Sequence, residues 1–301
     1  MMNKQNKSVI FLIFNKKILI LFVGYYSKRF FMIKKVCFIS FCVATVTACV
    51  QHKEKVLYEE LTPREFRARL EACPVAYLPL GTLEWHGEHL PLGSDGLQSL
   101  EFFKRLATES GGIVLPMLFV GPDGRDTIID GKEYYGMDNG VHAQPSYPVQ
   151  QLTGSAYHVP DSVFDMLINH IMKQLARAGF KIVVAHGHGP SGVYIEEHKQ
   201  WFKEKYHLTV MTCWGKDTFL TPTTHLCLQS DHAAANETSM MMYVRPDLVK
   251  MENLPADTHQ WPLAVAGDDP RLYASREYGK KICEYELQKM KAIINKELHH
   301  R

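Results

Sequence analysis

Two short apolar runs do most to restrict what this chain can fold into. Residues 75–80 and 181–185 are too short for helices and show no polar alternation, the pattern of strands buried on both faces. Stretches with helical signals separate and follow them. Thr62-Pro63-Arg64-Glu65 has the form of a helix start, with Pro at the first position and Glu at the third. Residues 95–110 set Leu97, Leu100, Phe103 and Leu106 on one helical face before Gly111-Gly112. Pro160-Asp161-Ser162 opens a helix with the stripe Val163, Leu167, Ile171, Leu175, closed by Gly179. A helix over 193–206, a strand over 208–213, a helix over 236–244 and a last helix over 271–298 follow. Residues 113–120 read as a strand interrupted by Pro116, and 121–157 as a long loop walling an active site. Strands alternating with helices predict an α/β domain, its mostly parallel sheet covered on both faces.

The first 48 residues differ from the rest. They carry eight Lys/Arg and no Asp or Glu, which leaves 26 basic against 32 acidic residues beyond them, a net charge near −6. A net-acidic body argues against a nucleic-acid surface. Met32-Ile33-Lys34-Lys35 precedes an apolar stretch, residues 36–44, and then Val46-Thr47-Ala48-Cys49. This resembles a bacterial lipoprotein signal peptide. The expectation is translation from Met32, export, lipidation at Cys49, and attachment to a bacterial membrane only through that lipid. The apolar runs 9–23 and 36–46, read instead as an N-terminal anchor, are each short of the roughly 20 residues that span a bilayer. Residues 49–56 then form a tether, and 57–301 a single domain. Cys73, Cys213, Cys227 and Cys283 contain no C-x-x-C pair, so a cysteine zinc site is not expected.

In parallel α/β sheets ligands collect beyond the carboxyl ends of the strands. The first run leads straight into Gly81-Thr82-Leu83-Glu84-Trp85-His86-Gly87-Glu88-His89-Leu90-Pro91-Leu92-Gly93-Ser94-Asp95. In extended backbone Glu84 and His86 share a side, about 6–7 Å apart along the strand. Asp95 adds a second carboxylate, and hard oxygen donors mixed with imidazole suit Zn, Mn or Fe. The second run leads into His186-Gly187-His188-Gly189-Pro190, and a third cluster, Asp231-His232 with Glu237, enters a Met-rich helix. Each residue also has a structural reading. Glu84 and His86 suit a strand-end ion pair, Glu237 a helix cap, His89 a partner that orients the loop. His186 reads as a support for the ligands or as a surface loop residue. Met240-Met241-Met242 reads as core, Trp85, Trp214 and Trp261 as pocket lining or core, and His299-His300 as a solvated tail.

Glu84-x-His86-Gly87-x-His89-Leu90-Pro91 with Asp95, then Gly187-His188-Gly189, then His232 with Glu237-Thr238-Ser239 resemble the creatininase (creatinine amidohydrolase) family in order and spacing, over residues 58–249. The resemblance implies a three-layer αβα sandwich and a centre of two divalent metal ions, Zn with Zn, Mn or Fe. It also implies water-driven opening of C–N bonds in small cyclic amides, and a homo-oligomer, commonly a hexamer. Carried over by position, Glu84 and His188 would hold one metal, His86 the other, and Asp95 both, while His232 would move protons as the catalytic residue. The sequence departs from the family at Pro190, where creatininase carries a ligand glutamate. Glu237 is then the expected replacement ligand. His186 stands where the family usually has Asn, which argues against creatinine itself as substrate. Two other expectations compete: a metal-dependent hydrolase of a lactone or a cyclic keto-sugar or cyclitol, and a lipoprotein that binds metal and ligand without turnover.

Overall fold

The computed structural model describes residues 10–14, 17–21, 54–122, 127–140, 147–214 and 226–300. The chain divides into two units, residues 1–52 and 53–301. In the first, Ile10–Phe14 pairs antiparallel with Lys17–Leu21. The expected start at Met32, the signal-like run and Cys49 lie outside the described residues. Among the described residues no helix is long and apolar enough to cross a membrane.

The second unit is built on four parallel strands in the order β4-β3-β1-β2: β1 (Val75–Leu80), β2 (Ile113–Val114), β3 (Ile182–Gly187) and β4 (Thr209–Met211). Every residue of β1 and β3 is buried, because helices cover both faces. Val75 and Tyr77 of β1, with Ile182 and Val184 of β3, pack against Phe102, Phe103 and Leu106 of α2 (Ser94–Ser110). The same layer holds Met240 of α5 (Ala235–Val244) and Ile282, Leu287, Met290 and Ile294 of α6 (Arg276–His299). The alternate residues Ala76, Leu78, Val183 and Ala185 face the other layer. There they meet Phe164, Ile168 and Met172 of α3 (Asp161–Ala178), and Ile195 and Phe202 of α4 (Gly189–Tyr206). Period-two alternation thus feeds two separate cores, and the architecture is a three-layer αβα sandwich.

Local signals explain most boundaries. The first helix, α1 (Pro63–Ala72), starts with the expected capping box, Thr62 accepting from the Glu65 N–H and the Glu65 side chain accepting from the Thr62 N–H. Gly179 closes α3 in the left-handed conformation. Other expectations need correction. The buried stripe of α3 is Phe164, Ile168, Met172 and Leu175, while Val163 is 40% exposed. Two apolar stripes one residue apart compete on this helix, and the larger side chains take the core. In α2 Leu97 and Leu100 are only partly buried, whereas Asp95, Gln98 and Ser99 face inward. Residues 113–120 form a regular strand only over β2 and, past Pro116, which has no N–H to give, rejoin β1 at a single bridge between Leu118 and Leu80. The expected 208–213 strand shortens to β4. The last helix is broken: Pro270–Tyr273 forms one turn, and the Ser275 hydroxyl caps α6 by accepting from the Tyr278 N–H. Residues 121–157 contain small elements, including the hairpin Thr127–Ile129 with Lys132–Tyr134. Among the described residues Cys73, Cys213, Cys227 and Cys283 form no disulfide.

One buried charge in α6 makes stability depend on pH. Burial pushes the Glu286 carboxyl up from 4.5 to about 7, against the pull of Lys289, whose Nζ donates to Oε1 at 2.6 Å. A carboxyl raised in the folded state stabilises most at low pH, and that stability is lost as pH rises from the unfolded value towards the folded one. Urea unfolding should therefore show a decline of about 3 kcal/mol between pH 4.5 and 8 from this group, and Glu286→Gln should flatten it.

Candidate metal centre

Three segments deliver their side chains to one buried cluster at the carboxyl ends of β1 and β3. The loop after β1 turns tightly, with the Glu84 N–H donating to Leu92 O at 3.0 Å, and carries Glu84 and His86. Asp95 follows as the second residue of α2, where the positive end of the helix favours its charge. His188 sits between β3 and α4, and Pro190 occupies the first turn of α4, where a missing N–H costs nothing. Glu237 lies in the first turn of α5. That turn is held by Asp231, whose carboxylate accepts from the N–H groups of Asn236 (2.7 Å) and Glu237 (3.1 Å).

The five side chains form two sets of three that share Asp95. His188 Nδ1 lies 3.1 Å from Glu84 Oε1 and 3.1 Å from Asp95 Oδ2. His86 Nε2 lies 3.2 Å from Asp95 Oδ1 and 3.5 Å from Glu237 Oε2. In each set the donor atoms fall within 4.8 Å of one another. Two ligands at about 2.1 Å from one tetrahedral ion are about 3.4 Å apart, so these separations fit ligand pairs. The tautomers fit as well. His86 Nδ1 faces the Glu84 carbonyl at 3.2 Å and His188 Nε2 the Pro122 carbonyl at 3.0 Å. Carbonyls only accept, so each ring carries its N–H there and turns the other nitrogen to the carboxylates, the usual arrangement of metal-bound histidine. A third set joins Glu84, His86 and His232.

The electrostatics describe a site built for positive charge. Burial opposes ionisation of Glu84 and Asp95, but His188 and His86 overcome it and hold both carboxyls below their usual range, Asp95 far below. Burial lifts Glu237 well above its range, against His86. Burial opposes a charge on His86 too, yet Asp95 and Glu237 raise it to about 10. Protons on the imidazoles thus balance carboxylates that cations would balance, and metal uptake should release them.

The remaining expected residues are placed differently. His232 stacks on His86 at 4.3 Å and 24°, with Nε2 2.7 Å from the Trp85 carbonyl. Burial and the nearby His86 lower it to about 4, below the ordinary value expected for a proton-moving histidine. Buried His89 bonds Thr238 Oγ1 through Nε2 at 2.7 Å and so ties the loop to α5. His186 is no surface loop residue: β3 runs on through it, and it is fully buried, edge-on to Trp214 at 4.8 Å. Neither ring nitrogen has a hydrogen-bond partner among the described residues. Glu237 also does what a cap does, since Oε2 accepts from the Ala233 N–H at 2.8 Å. Met240 and Met241 are core.

Sequence reasoning missed Gln229, whose amide donates to Asp95 Oδ1 at 3.1 Å, and Ser99, which donates to the Asp95 carbonyl at 2.8 Å. Ser99 had a signal, standing one turn after Asp95 on a helix; Gln229 had none. Gln229→Leu should lower metal affinity by about 10–100-fold, read by chelator competition.

The family model for creatininase, described as creatinine amidohydrolase, matches residues 59–132 and 133–294. The chain belongs to the creatininase family. This creatininase-family hydrolase is 26% identical over 281 residues to the creatinine amidohydrolase of Pseudomonas putida, covering 81% of the chain and 98% of that protein. It is 25% identical over 184 residues to the mycofactocin precursor peptide peptidase of Mycolicibacterium smegmatis, covering 60% of the chain and 62% of that protein. A crystal structure of creatinine amidohydrolase superposes with a TM-score of 0.60 at 25% identity, over 81% of this chain and 98% of that one. Creatininase structures described as Zn-Zn type and as Mn match at TM-scores of 0.61 and 0.60, with the same identity and coverage. Together with the donor set, these structures support a divalent metal here.

Proposed function

We propose that this hydrolase opens the C–N bond of a small cyclic amide, with one divalent cation held by Glu84, Asp95 and His188 and a second by His86, Asp95 and Glu237. The observation that carries the reading is the pair of three-donor sets sharing the Asp95 carboxylate. Zn, Mn or Fe held there would supply Lewis acidity and a water of lowered pKa. Glu237 takes the place of the ligand lost at Pro190. The Gln229 amide, donating to Oδ1, holds the Asp95 carboxylate so that each of its oxygens faces one set.

His232 is the proton carrier. Its Nε2–H is committed to the Trp85 carbonyl, which leaves Nδ1 as the basic nitrogen. Burial keeps the ring neutral at pH 7, so Nδ1 would be free to take a proton from the attacking water and return it to the leaving nitrogen. His186, held neutral by burial and without a polar partner among the described residues, packs edge-on against Trp214.

Similarity to a peptide peptidase favours a second reading, cleavage of a short peptide bond by the same groups. A screen of metal-loaded protein against lactams and hydantoins, lactones, keto-sugars and short peptides separates the readings. The expected result is turnover of a cyclic amide that falls about 10²–10⁴-fold in His232→Gln. Turnover confined to peptides, lactones or keto-sugars would overturn it. We also propose that the protein is exported and anchored through lipid on Cys49, on the resemblance of residues 32–49 to a lipoprotein signal peptide, and a homo-oligomer, on the resemblance to the creatininase family. Mass spectrometry of the mature N-terminus tests the anchor, and an unmodified chain from Met1 would contradict it.

A further inference from the structure

Beside the cluster lies a cavity of about 300 Å³, lined by Glu133, Tyr135, His158 and Val159 among others. It shares a wall with the metal centre. His158–Val159 pairs in parallel with Gly121–Pro122, and Pro122 is the residue whose carbonyl fixes His188. The His158 ring lies 6.5 Å from the His188 ring. On its other side His158 stacks on Tyr135 at 5.4 Å and 11°. Thr82 Oγ1, two residues before Glu84, comes within 3.5 Å of His158 Nδ1. His158 thus both lines the cavity and neighbours the His188 ring of the cluster.

The lining has a definite chemistry. Among the described residues that line it, Glu133 brings the one formal negative charge, and the Tyr135 hydroxyl donates to that carboxylate and orients it. An oriented carboxylate beside stacked aromatic rings attracts a cation by charge and by the ring quadrupole, and repels an anion. The volume sits at the low end of ligand pockets, enough for a substituent rather than a second substrate.

We propose that this cavity is a specificity subsite for a cationic nitrogen, an ammonium or guanidinium carried by the substrate a few bonds from the scissile amide. Glu133 is the group that selects for it, with Tyr135 as a positioning residue. The proposal rests on the cyclic-amide reading for the position of the carbonyl.

The test compares N-(4-aminobutyl)-2-pyrrolidinone with its neutral counterpart N-(4-hydroxybutyl)-2-pyrrolidinone, on zinc-loaded protein. Calorimetry reads binding and chromatography reads ring opening. The expected result is about tenfold tighter binding of the amine, shrinking to within twofold in Glu133→Gln. Glu133 is exposed, so this substitution leaves folding intact, and a melting curve checks it. Equal affinities in the wild type, no binding of either compound, or a preference that survives Glu133→Gln would overturn the subsite. Preference without ring opening keeps the subsite and removes the lactam reading; ring opening of both without preference does the reverse.

Discussion

Asp95→Ala is expected to lower kcat/KM by roughly 10³-fold or more, since metal-assisted charge stabilisation supplies several kcal/mol and each 1.36 kcal/mol is tenfold. The reason is the double duty of one carboxylate. Oδ1 faces His86 at 3.2 Å and Oδ2 faces His188 at 3.1 Å, so its loss leaves each set with two donors. A residue proposed for one cation alone behaves differently: Glu84→Ala or Glu237→Ala removes a donor from one proposed position and leaves the other with three. Thermal unfolding with and without added Zn distinguishes the cases. A ligand that binds the folded state raises stability in proportion to RT ln(1 + [L]/Kd), so the Zn-induced rise in Tm should vanish in Asp95→Ala and persist, reduced, in the other two. An Asp95→Ala protein that keeps its activity would remove Asp95 from the centre.

Gly187→Ala should unfold much of the domain, with a cost of about 4 kcal/mol or more, the range of backbone strain combined with overpacking. At φ +145 the backbone sits where side chains are rarely tolerated, and an added Cβ would stand 1.8 Å from the Leu80 carbonyl oxygen and 2.8 Å from Ser99 Oγ. Leu80 is the register partner of Gly187, so the β1–β3 pair cannot close around a methyl group. The neighbouring position is the control. A Cβ on Gly189 meets nothing within 4 Å, and Gly189→Ala in the first turn of α4 should change stability by less than about 1 kcal/mol. Urea unfolding of the two variants reads the difference, and equal stabilities would show that β1 and β3 tolerate a wider spacing than the structure gives them.

The two glycines show how much of this molecule could be read in advance. The apolar runs, the Thr62 capping box and Gly179 announced the sandwich because backbone sterics and burial act locally. Of the cluster, Glu84, His86 and His188 are legible for a related reason, since residues at strand ends follow apolar runs, while Glu237, in the first turn of α5, is marked as a candidate by the family resemblance. Long-range packing erased the other signals. In α2 Phe103 and Leu106 of the apolar stripe are fully buried but Leu97 and Leu100 only partly, because Asp95, Gln98 and Ser99 also face inward, against the apolar period. The α3 stripe slipped by one residue because core volume chose Phe164 and Met172. Nothing local marks Gln229 as the partner of Asp95, 134 positions away in sequence. His186 reads in sequence as a support for the ligands or as surface loop, because a histidine ends an apolar run, yet it is buried with Trp214 edge-on against it.

Elemental analysis by plasma mass spectrometry, on protein purified without chelator, tests the two-cation centre most directly. The expected result is close to two equivalents of Zn, Mn or Fe per chain, falling to about one in Glu237→Ala and to background in Asp95→Ala. A folded protein that holds no metal, takes up none on dialysis against Zn or Mn, and still turns over its substrate would contradict it.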